Sequence, residues 1–545
     1  MSMYCCKHIA FILLLALAAC SRQPEPPDTA STVPLFDDLG THHRAVSTKN
    51  ELAQKYFDQG LRLTYGFNHD EAERAFREAA RLDPSLAMAW WGVANALGPN
   101  INLPLDEARN KRALDAVAKA KALIANAGES ERAYINAIAV RYSADPAAKR
   151  IDLDRAYARA MGEVYKRFPN DADAGALYAE ALMDLKPWQL WTPEGEPREE
   201  TLEILQVLEG VLKMNPVHPG ANHYYIHAVE ASREPQKAAD SAERLRTLVP
   251  GAGHLVHMPA HIDMRTGNYT GAVEANANGV KADEAYFART KAAGVYPMIY
   301  YSHNFTFLST AASMIGRTRQ AMDTAAKAVA IAAPMAGHDA MAEYVLPWTF
   351  YTMTRNARWD DMLAAPRPAD STPSTVALWH YGRGVASIGK GDVAGAKKSR
   401  DEFAKARAGV PRDLMLNFNR AEDLLAIANF VLDARIARAG GDHNGAIAQW
   451  QKAIAIQDRL VYDEPPAWYY PVRESLGAEY LLLKRYADAE KTFRRDLEIN
   501  PNNPRSLFGL AEALKGQGKA DAEETRRRFE EAWKGAELEL GIAGL

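Results

Sequence analysis

Cysteine is almost absent from the chain. Only three of the 545 residues are cysteines, and all three lie within the first twenty positions, at Cys5, Cys6 and Cys20. The rest of the chain therefore has no disulfide, no catalytic thiolate and no cysteine-bound metal. Any functional site beyond that segment must be built from histidine, carboxylate, hydroxyl or amide groups.

Several common functional motifs are also missing. The sequence has no Gly-rich phosphate loop, no serine nucleophile elbow and no CxxCH haem-attachment motif. Its formal net charge is −4 and its pI is near 6.4, so it has no strongly basic character of the kind that marks nucleic-acid binding. We therefore expect no nucleic-acid partner.

Long apolar runs are limited to the N-terminus. Residues 9–18 form a short apolar segment after Lys7, and the run ends in the sequence LAAC at residues 17–20. This segment resembles a bacterial lipoprotein signal peptide, which implies removal of residues 1–19 and attachment of lipid to Cys20. Residues 20–40, rich in Pro and Ser near their start, would then form a flexible tether.

The same resemblance implies a location. Ser21 after the cysteine favours the outer membrane, with the protein on the periplasmic face and the lipid as its membrane contact. The alternative is an ordinary secretory signal that is cleaved without lipidation. After residue 20, no run approaches the ~18 uninterrupted apolar residues of a membrane-spanning helix.

Internal repeats determine the predicted fold. The chain is longer than one compact core usually organises, and its Ala-rich segments favour helices. Residues 53–84 carry small and aromatic residues at fixed places of a helical pair that ends in proline: Tyr56, Gly60, Ala72, Phe76, Ala79 and Pro84.

This spacing resembles the 34-residue tetratricopeptide repeat (TPR), in which small residues allow one helix to nest against the next. A C-terminal stretch repeats it with Gly477, Phe493 and Pro501. We therefore predict an all-α, TPR-type α-solenoid, a right-handed superhelix of about ten to twelve helical pairs. Residues 41–375 would form an N-terminal set of repeats, and residues 376–545 a C-terminal set.

The histidines carry the main functional signal. His223 and His227 are four residues apart, as are His257 and His261, so each pair shares one face of a helix. Each member of the second pair lies 34 residues after its counterpart in the first pair. The four histidines therefore occupy equivalent places in consecutive repeats, on the predicted concave wall.

This placement predicts a metal site. Packed helices lie about 8–10 Å apart, so two histidines from each of two neighbouring helices can converge on one ion. Imidazole donors suit zinc, copper, iron or nickel. Four further side chains occupy places in their repeats that are predicted to lie on the same wall. They complete the predicted site: His254, His303, Glu230 and Glu180.

Other features affect this site. Pro259 predicts an irregular turn around His254, because the residue before proline resists helical geometry. Trp188 and Trp191 lie in an insertion that can close one side of the site. Tyr224 follows His223, so the pair is not an HExxH metalloprotease motif.

Interpretations of the histidine pairs that involve no metal remain open. The duplicated pairs can be a relic of repeat duplication, or the polar wall of a groove that binds an envelope protein or peptide. A metal-dependent hydrolase or oxidase is a third alternative, with Glu230 or Glu180 as general base. His69, His380 and His443 are expected to be ordinary capping or core residues.

Several segments resemble a group of bacterial TPR-domain proteins. These are "HYYIHAVEAS", "GHLVHMPAHI" and residues 65–76, 89–102 and 462–477. The resemblance implies the TPR fold. It implies no substrate, cofactor or catalytic residue, so the metal prediction depends on the histidine spacing.

Overall fold

Helices account for nearly all the regular structure. The computed structural model describes residues 33–337 and 340–545. Within them, the only strands are β1 (Met415–Leu416) and β2 (Asn419–Arg420), an antiparallel pair in which Leu416 lies opposite Asn419. The predicted signal segment and Cys20 lie outside the described residues. No helix in the described part of the chain is both long and apolar enough to cross a bilayer.

The helices follow one another with short connections. Those of the first part of the chain are α1 (Glu51–Tyr65), α2 (His69–Leu82), α3 (Ala87–Ala96), α4 (Glu107–Ala122), α5 (Glu129–Ile138), α6 (Arg150–Arg167), α7 (Ala172–Met183), α8 (Thr201–Met214), α9 (Pro219–Val229), α10 (Ala239–Leu248), α11 (Gly253–His257), α12 (Pro259–Thr266) and α13 (Tyr269–Thr290). Those of the second part are α14 (Ser302–Met314), α15 (Thr318–Ala332), α16 (Ala340–Val345), α17 (Trp348–Arg355), α18 (Trp359–Ala364), α19 (Pro373–Gly389), α20 (Val393–Ala408), α21 (Ala421–Ala439), α22 (His443–Gln457), α23 (Arg473–Leu482), α24 (Tyr486–Ile499), α25 (Pro504–Gly516) and α26 (Ala522–Ala532).

Consecutive helices pack as pairs, and aromatic residues fill the space between them. Phe76 of α2 lies between Gly60 of α1 and Gly92 of α3, and a Cβ added to Gly60 would lie only 2.7 Å from the Phe76 ring. The same arrangement recurs in α23, α24 and α25 with Gly477, Phe493 and Gly509. This packing confirms the predicted all-α, TPR-type solenoid.

The two parts of the chain also contact each other directly. Buried apolar residues form two large clusters, one drawn from residues 36–300 and the other from residues 280–545. The Tyr269 hydroxyl donates to the carbonyl oxygen of Pro501 (3.0 Å), and the ring centres of Trp188 and Phe418 are 5.1 Å apart. The C-terminal part therefore packs against Trp188, whose ring also contacts His227.

Candidate metal centre

Two neighbouring repeats and one later helix position six histidines. His223 and His227 lie on α9, and His303 lies on α14. His254, His257 and His261 lie on α11 and α12, which are separate helices because the chain breaks at Met258, just before Pro259. The irregularity expected from this proline is present, and the three side chains still lie next to one another.

The six imidazoles fall into two groups. The first histidine group consists of His223, His227 and His254, and the second histidine group consists of His257, His261 and His303. Within each group, one nitrogen of every ring lies within 4.8 Å of the corresponding nitrogens of the other two. The structure therefore brings together all four histidines of the repeated pairs, and both additional histidines.

The closest approaches between the rings join Nε2 atoms. His223 Nε2 is 3.1 Å from His254 Nε2 in the first group. In the second group, His257 Nε2 is 2.8 Å from His261 Nε2 and 3.2 Å from His303 Nε2. Five of these residues are buried, with relative exposures between 0% and 6%. Both groups are therefore enclosed within the fold.

Backbone and amide oxygens fix two of the rings. His223 Nδ1 is 2.7 Å from the carbonyl oxygen of Tyr65, which can only accept a hydrogen bond. His257 Nδ1 is 2.7 Å from Oδ1 of Asn276, whose amide nitrogen donates to the carbonyl of Ala272. Both Nδ1 atoms must therefore carry the hydrogen, which leaves the Nε2 lone pairs free to bind a cation.

One carboxylate fixes a ring in each group. His227 Nδ1 donates to Oε1 of Glu230 at 2.8 Å, and His261 Nδ1 donates to Oε2 of Glu230 at 2.5 Å. Burial by itself raises the pKa of Glu230, but attraction to His261 and His227 outweighs it and lowers the pKa to about 2. A carboxylate that orients metal-binding histidines in this way is a common outer-shell feature of metal sites.

Burial makes several of these histidines, among them His223, His254, His257 and His303, resist protonation. Burial lowers the pKa of His223, His254 and His257 well below the usual value, and the neighbouring imidazoles lower it further. Burial, followed by His261, lowers the pKa of His303 to about 3. Neutral imidazole is the form that binds metal, so these shifts favour binding at neutral pH.

Hydrogen bonds between the rings do not give every buried ring nitrogen a partner. One shared proton can bridge His257 and His261, but His227 Nε2 is buried and has no hydrogen-bond partner. A metal ion accepts three Nε2 lone pairs at once, and such buried unpaired groups are otherwise costly.

Glu180 lies apart from the histidines. It is on α7, and its charged neighbours are Arg141 and Asp184. Burial raises the pKa of Glu180, and it belongs to none of the metal-compatible groups among the described residues. Its position in the repeat predicts that it lies beside the histidines, but its carboxylate is part of a separate polar cluster.

A small cavity adjoins the first histidine group. It has a volume of about 20 Å³ and is lined by Trp188, Trp191, His227, Glu230 and Tyr462, among others. The Trp188 ring lies edge-on to His227, with 5.3 Å between ring centres. A cavity of about 10–15 Å³ suffices for one water molecule, so this one accepts a ligand of similar size.

The repeat period does not locate some contributors to the site. Asn276 and the carbonyl of Tyr65 orient two histidines, and Tyr462 reaches the site from the loop between α22 and α23. The Tyr462 hydroxyl is 3.4 Å from Oε2 of Glu230 and donates to Glu464. Only the period of the repeat locates the histidines, and none of these three residues follows it.

A third cluster is satisfied without metal. Asp173 Oδ1 accepts hydrogen bonds from His42 Nε2 (2.9 Å), His218 Nε2 (3.1 Å) and the Tyr65 hydroxyl (2.6 Å). The backbone N–H of Ala221 donates to His218 Nδ1, so both nitrogens of that ring are used. This cluster caps α9 and holds its N-terminus against the preceding repeats.

The histidines expected to be structural have ordinary surroundings. His69 Nδ1 is 2.9 Å from the carbonyl oxygen of Ala96, and His443 Nδ1 is 2.7 Å from Oε1 of Glu479. The ring of His380 lies edge-on to that of Trp379, with 4.8 Å between ring centres. None of the three belongs to a metal-compatible group in the described ranges.

Comparison with solved structures shows distant likenesses. No protein-family model and no curated protein matches the chain. The human IFIT1 dimer with m7Gppp-AAAA is similar over 89% of this chain and 91% of that chain, at 14% identity and a TM-score of 0.32. The APC/C hetero-tetramer Cut9-Hcn1 is similar over 85% and 76%, at 13% identity and 0.30.

The yeast protein Tom70 is similar over 86% of this chain and 96% of that chain, at 13% identity and a TM-score of 0.34. At these scores, the likenesses carry no argument about partners or activity. The expected absence of a nucleic-acid partner therefore stays a prediction.

Proposed function

We propose that this chain is a metal-binding protein that holds a first-row transition-metal ion through the Nε2 atoms of its clustered histidines. The observation that carries the proposal is the approach of Nε2 atoms to 2.8–3.2 Å of one another. Four of the six rings, those of His223, His227, His257 and His261, have their Nδ1 atoms engaged elsewhere. Two nitrogens bound to one ion at about 2.0–2.1 Å lie about 2.9–3.4 Å apart for bond angles between about 90° and 109°. The observed separations fall in or next to that range.

The donors narrow the choice of ion. Imidazole nitrogens suit zinc, copper or iron, and affinity for such sites generally rises toward copper. Calcium and magnesium prefer oxygen ligands, which the two histidine groups lack. We therefore expect tight binding of zinc and copper and weak binding of magnesium.

Burial distinguishes metal binding from peptide binding at this site. A peptide-binding TPR groove needs accessible side chains, whereas the histidines are enclosed and the adjoining cavity is about 20 Å³. Trp188, Phe418 and Tyr462 cover this side of the wall. A peptide therefore cannot reach the Nε2 atoms without displacing part of the C-terminal half.

Metal content tests the proposal directly. Protein produced without a polyhistidine tag should contain at least one zinc, copper or iron ion per chain by element-resolved mass spectrometry. A variant with His227→Ala and His261→Ala should lose the metal, whereas His443→Ala should retain it. Wild-type protein that is metal-free and takes up neither zinc nor copper at micromolar concentrations would exclude this function.

The proposal includes attachment to the cell envelope. The LAAC sequence at residues 17–20 supports lipidation of Cys20, which would tether the metal centre to the outer membrane. In a bacterial host, the wild type should fractionate with membranes and take up labelled palmitate. Cys20→Ala should abolish both, and a wild type that is released unlabelled would contradict the lipid anchor.

A further inference from the structure

Building on the proposed function, we infer that the centre is dinuclear. One ion is held by the first histidine group and a second ion by the second histidine group, close enough together to share a small ligand. The grouping of the rings, their spacing and the shared carboxylate each support this arrangement.

The grouping argues against a single ion. Six imidazoles on one octahedral ion would place every pair of donor nitrogens within about 4.2 Å, given metal–nitrogen bonds of about 2.1 Å. Instead, two sets of three histidines have donor atoms within 4.8 Å of one another, and a further set joins one histidine of each group, His227 and His261, through Glu230. Among residues 33–337 and 340–545, no larger set meets that limit.

Apart from one spacing of 6.2 Å, the ring spacings within each group lie close to the value expected around one ion. An imidazole places its ring centre about 3.2 Å from a bound ion, so two rings at a tetrahedral angle have centres about 5.2 Å apart. Ring centres are 4.8, 4.9 and 6.2 Å apart in the first group. They are 4.7, 4.8 and 5.7 Å apart in the second group.

The two groups are direct neighbours. Ring centres of His227 and His261 are 5.4 Å apart, and those of His254 and His257 are 5.6 Å apart. These separations between groups are as short as those within a group. Glu230 also joins the groups, because its two oxygens orient His227 on one side and His261 on the other.

Each ion would have three protein donors, which leaves a coordination position open. Three-histidine sites of this kind usually complete their coordination with water or substrate. The cavity of about 20 Å³ beside His227 limits that ligand to one or two heavy atoms. The ligand class is therefore water, hydroxide or dioxygen, bound at one ion or between the two.

The test compares metal stoichiometry in three proteins. Metal-free wild type, His254→Ala and His303→Ala are loaded with zinc, desalted and analysed by element-resolved mass spectrometry. We expect two ions per chain for the wild type and one for each variant. His254 is buried, so its replacement by alanine leaves a cavity; circular dichroism, with His254→Gln as a second variant, checks folding.

The outcomes separate this inference from the proposed function. A wild type without metal overturns both. A wild type with one ion, lost in either variant, overturns the dinuclear centre but leaves metal binding in place. Two ions in the wild type and in both variants place the metal elsewhere, which again overturns both.

Copper tests how close the ions are. In the Cu(II)-loaded wild type, two ions joined by a bridging ligand should couple, so that electron paramagnetic resonance detects well under two spins per chain. Each single variant should show one spin per chain. Two uncoupled spins in the wild type would overturn the shared ligand.

Discussion

Replacing Glu230 with glutamine changes one atom and affects both histidine groups. The carboxylate accepts hydrogen bonds from Nδ1 of His227 and of His261, and it is fully buried. Glutamine offers one acceptor oxygen and one NH₂ donor to the same two rings. One of the histidines must then take up the tautomer with hydrogen on Nε2, which removes its lone pair from the metal.

The expected loss follows from the role of such outer-shell carboxylates. Removing one typically weakens metal binding 10–100-fold, or about 1.4–2.7 kcal/mol. We therefore expect Glu230→Gln to raise the zinc dissociation constant by about that factor. Competition against a chromophoric chelator at neutral pH measures the constant.

Glu464 provides the matched control. It is a buried carboxyl group that accepts a hydrogen bond from Tyr462, and it makes no contact with histidine among its described bonds. Burial, together with the nearby Glu230, raises the pKa of Glu464 well above its usual range, so glutamine resembles its protonated form. Glu464→Gln should change zinc affinity little. Equal losses in both variants, or none in Glu230→Gln, would refute the reasoning.

Three further predictions concern access, packing and pH. Trp188→Ala should accelerate removal of zinc by chelator, measured by stopped flow, because the indole packs edge-on against His227 and lines the cavity; an unchanged rate would show that metal leaves by another route. Gly92→Ala should destabilise the fold by about 1–3 kcal/mol in urea unfolding, since a Cβ there overlaps the Phe76 ring. Gly210→Ala meets nothing closer than 3.5 Å and should be neutral or stabilising. Burial raises the pKa of Asp283 to about 7 from 3.8, so its ionisation costs stability as the pH rises through that interval. Relative to Asp283→Asn, the wild type should lose about 2–3 kcal/mol between pH 5 and pH 7, and parallel pH profiles would contradict the assignment.

The sequence predicts the fold and the histidines for the same physical reason. A repeat turns a fixed offset along the chain into a short distance in space, so residues 34 apart, such as His223 and His257, occupy adjacent helices. The glycine–phenylalanine packing around Phe76 follows from the same period. Both depend on contacts between neighbouring repeats, which the periodic pattern encodes.

Contacts between distant parts of the chain have no such pattern. Tyr462 lies near Glu230, and Phe418 lies against Trp188, although each pair is separated by more than 200 residues. The sequence also does not predict the division of the histidines into two groups. This division depends on the orientation of the side chains on α11, α12 and α14, beyond the break at Pro259. Glu180 shows the opposite case. Its position in the repeat predicts that it belongs to the site, but its carboxylate interacts with Arg141 and Asp184 instead.

X-ray absorption at the zinc edge of the loaded wild-type protein measures the donors directly. We expect a first shell of nitrogen at about 2.0–2.1 Å, with about three imidazoles per ion seen by their multiple scattering. A shell dominated by oxygen, without imidazole scattering, would show that the clustered histidines do not hold the metal.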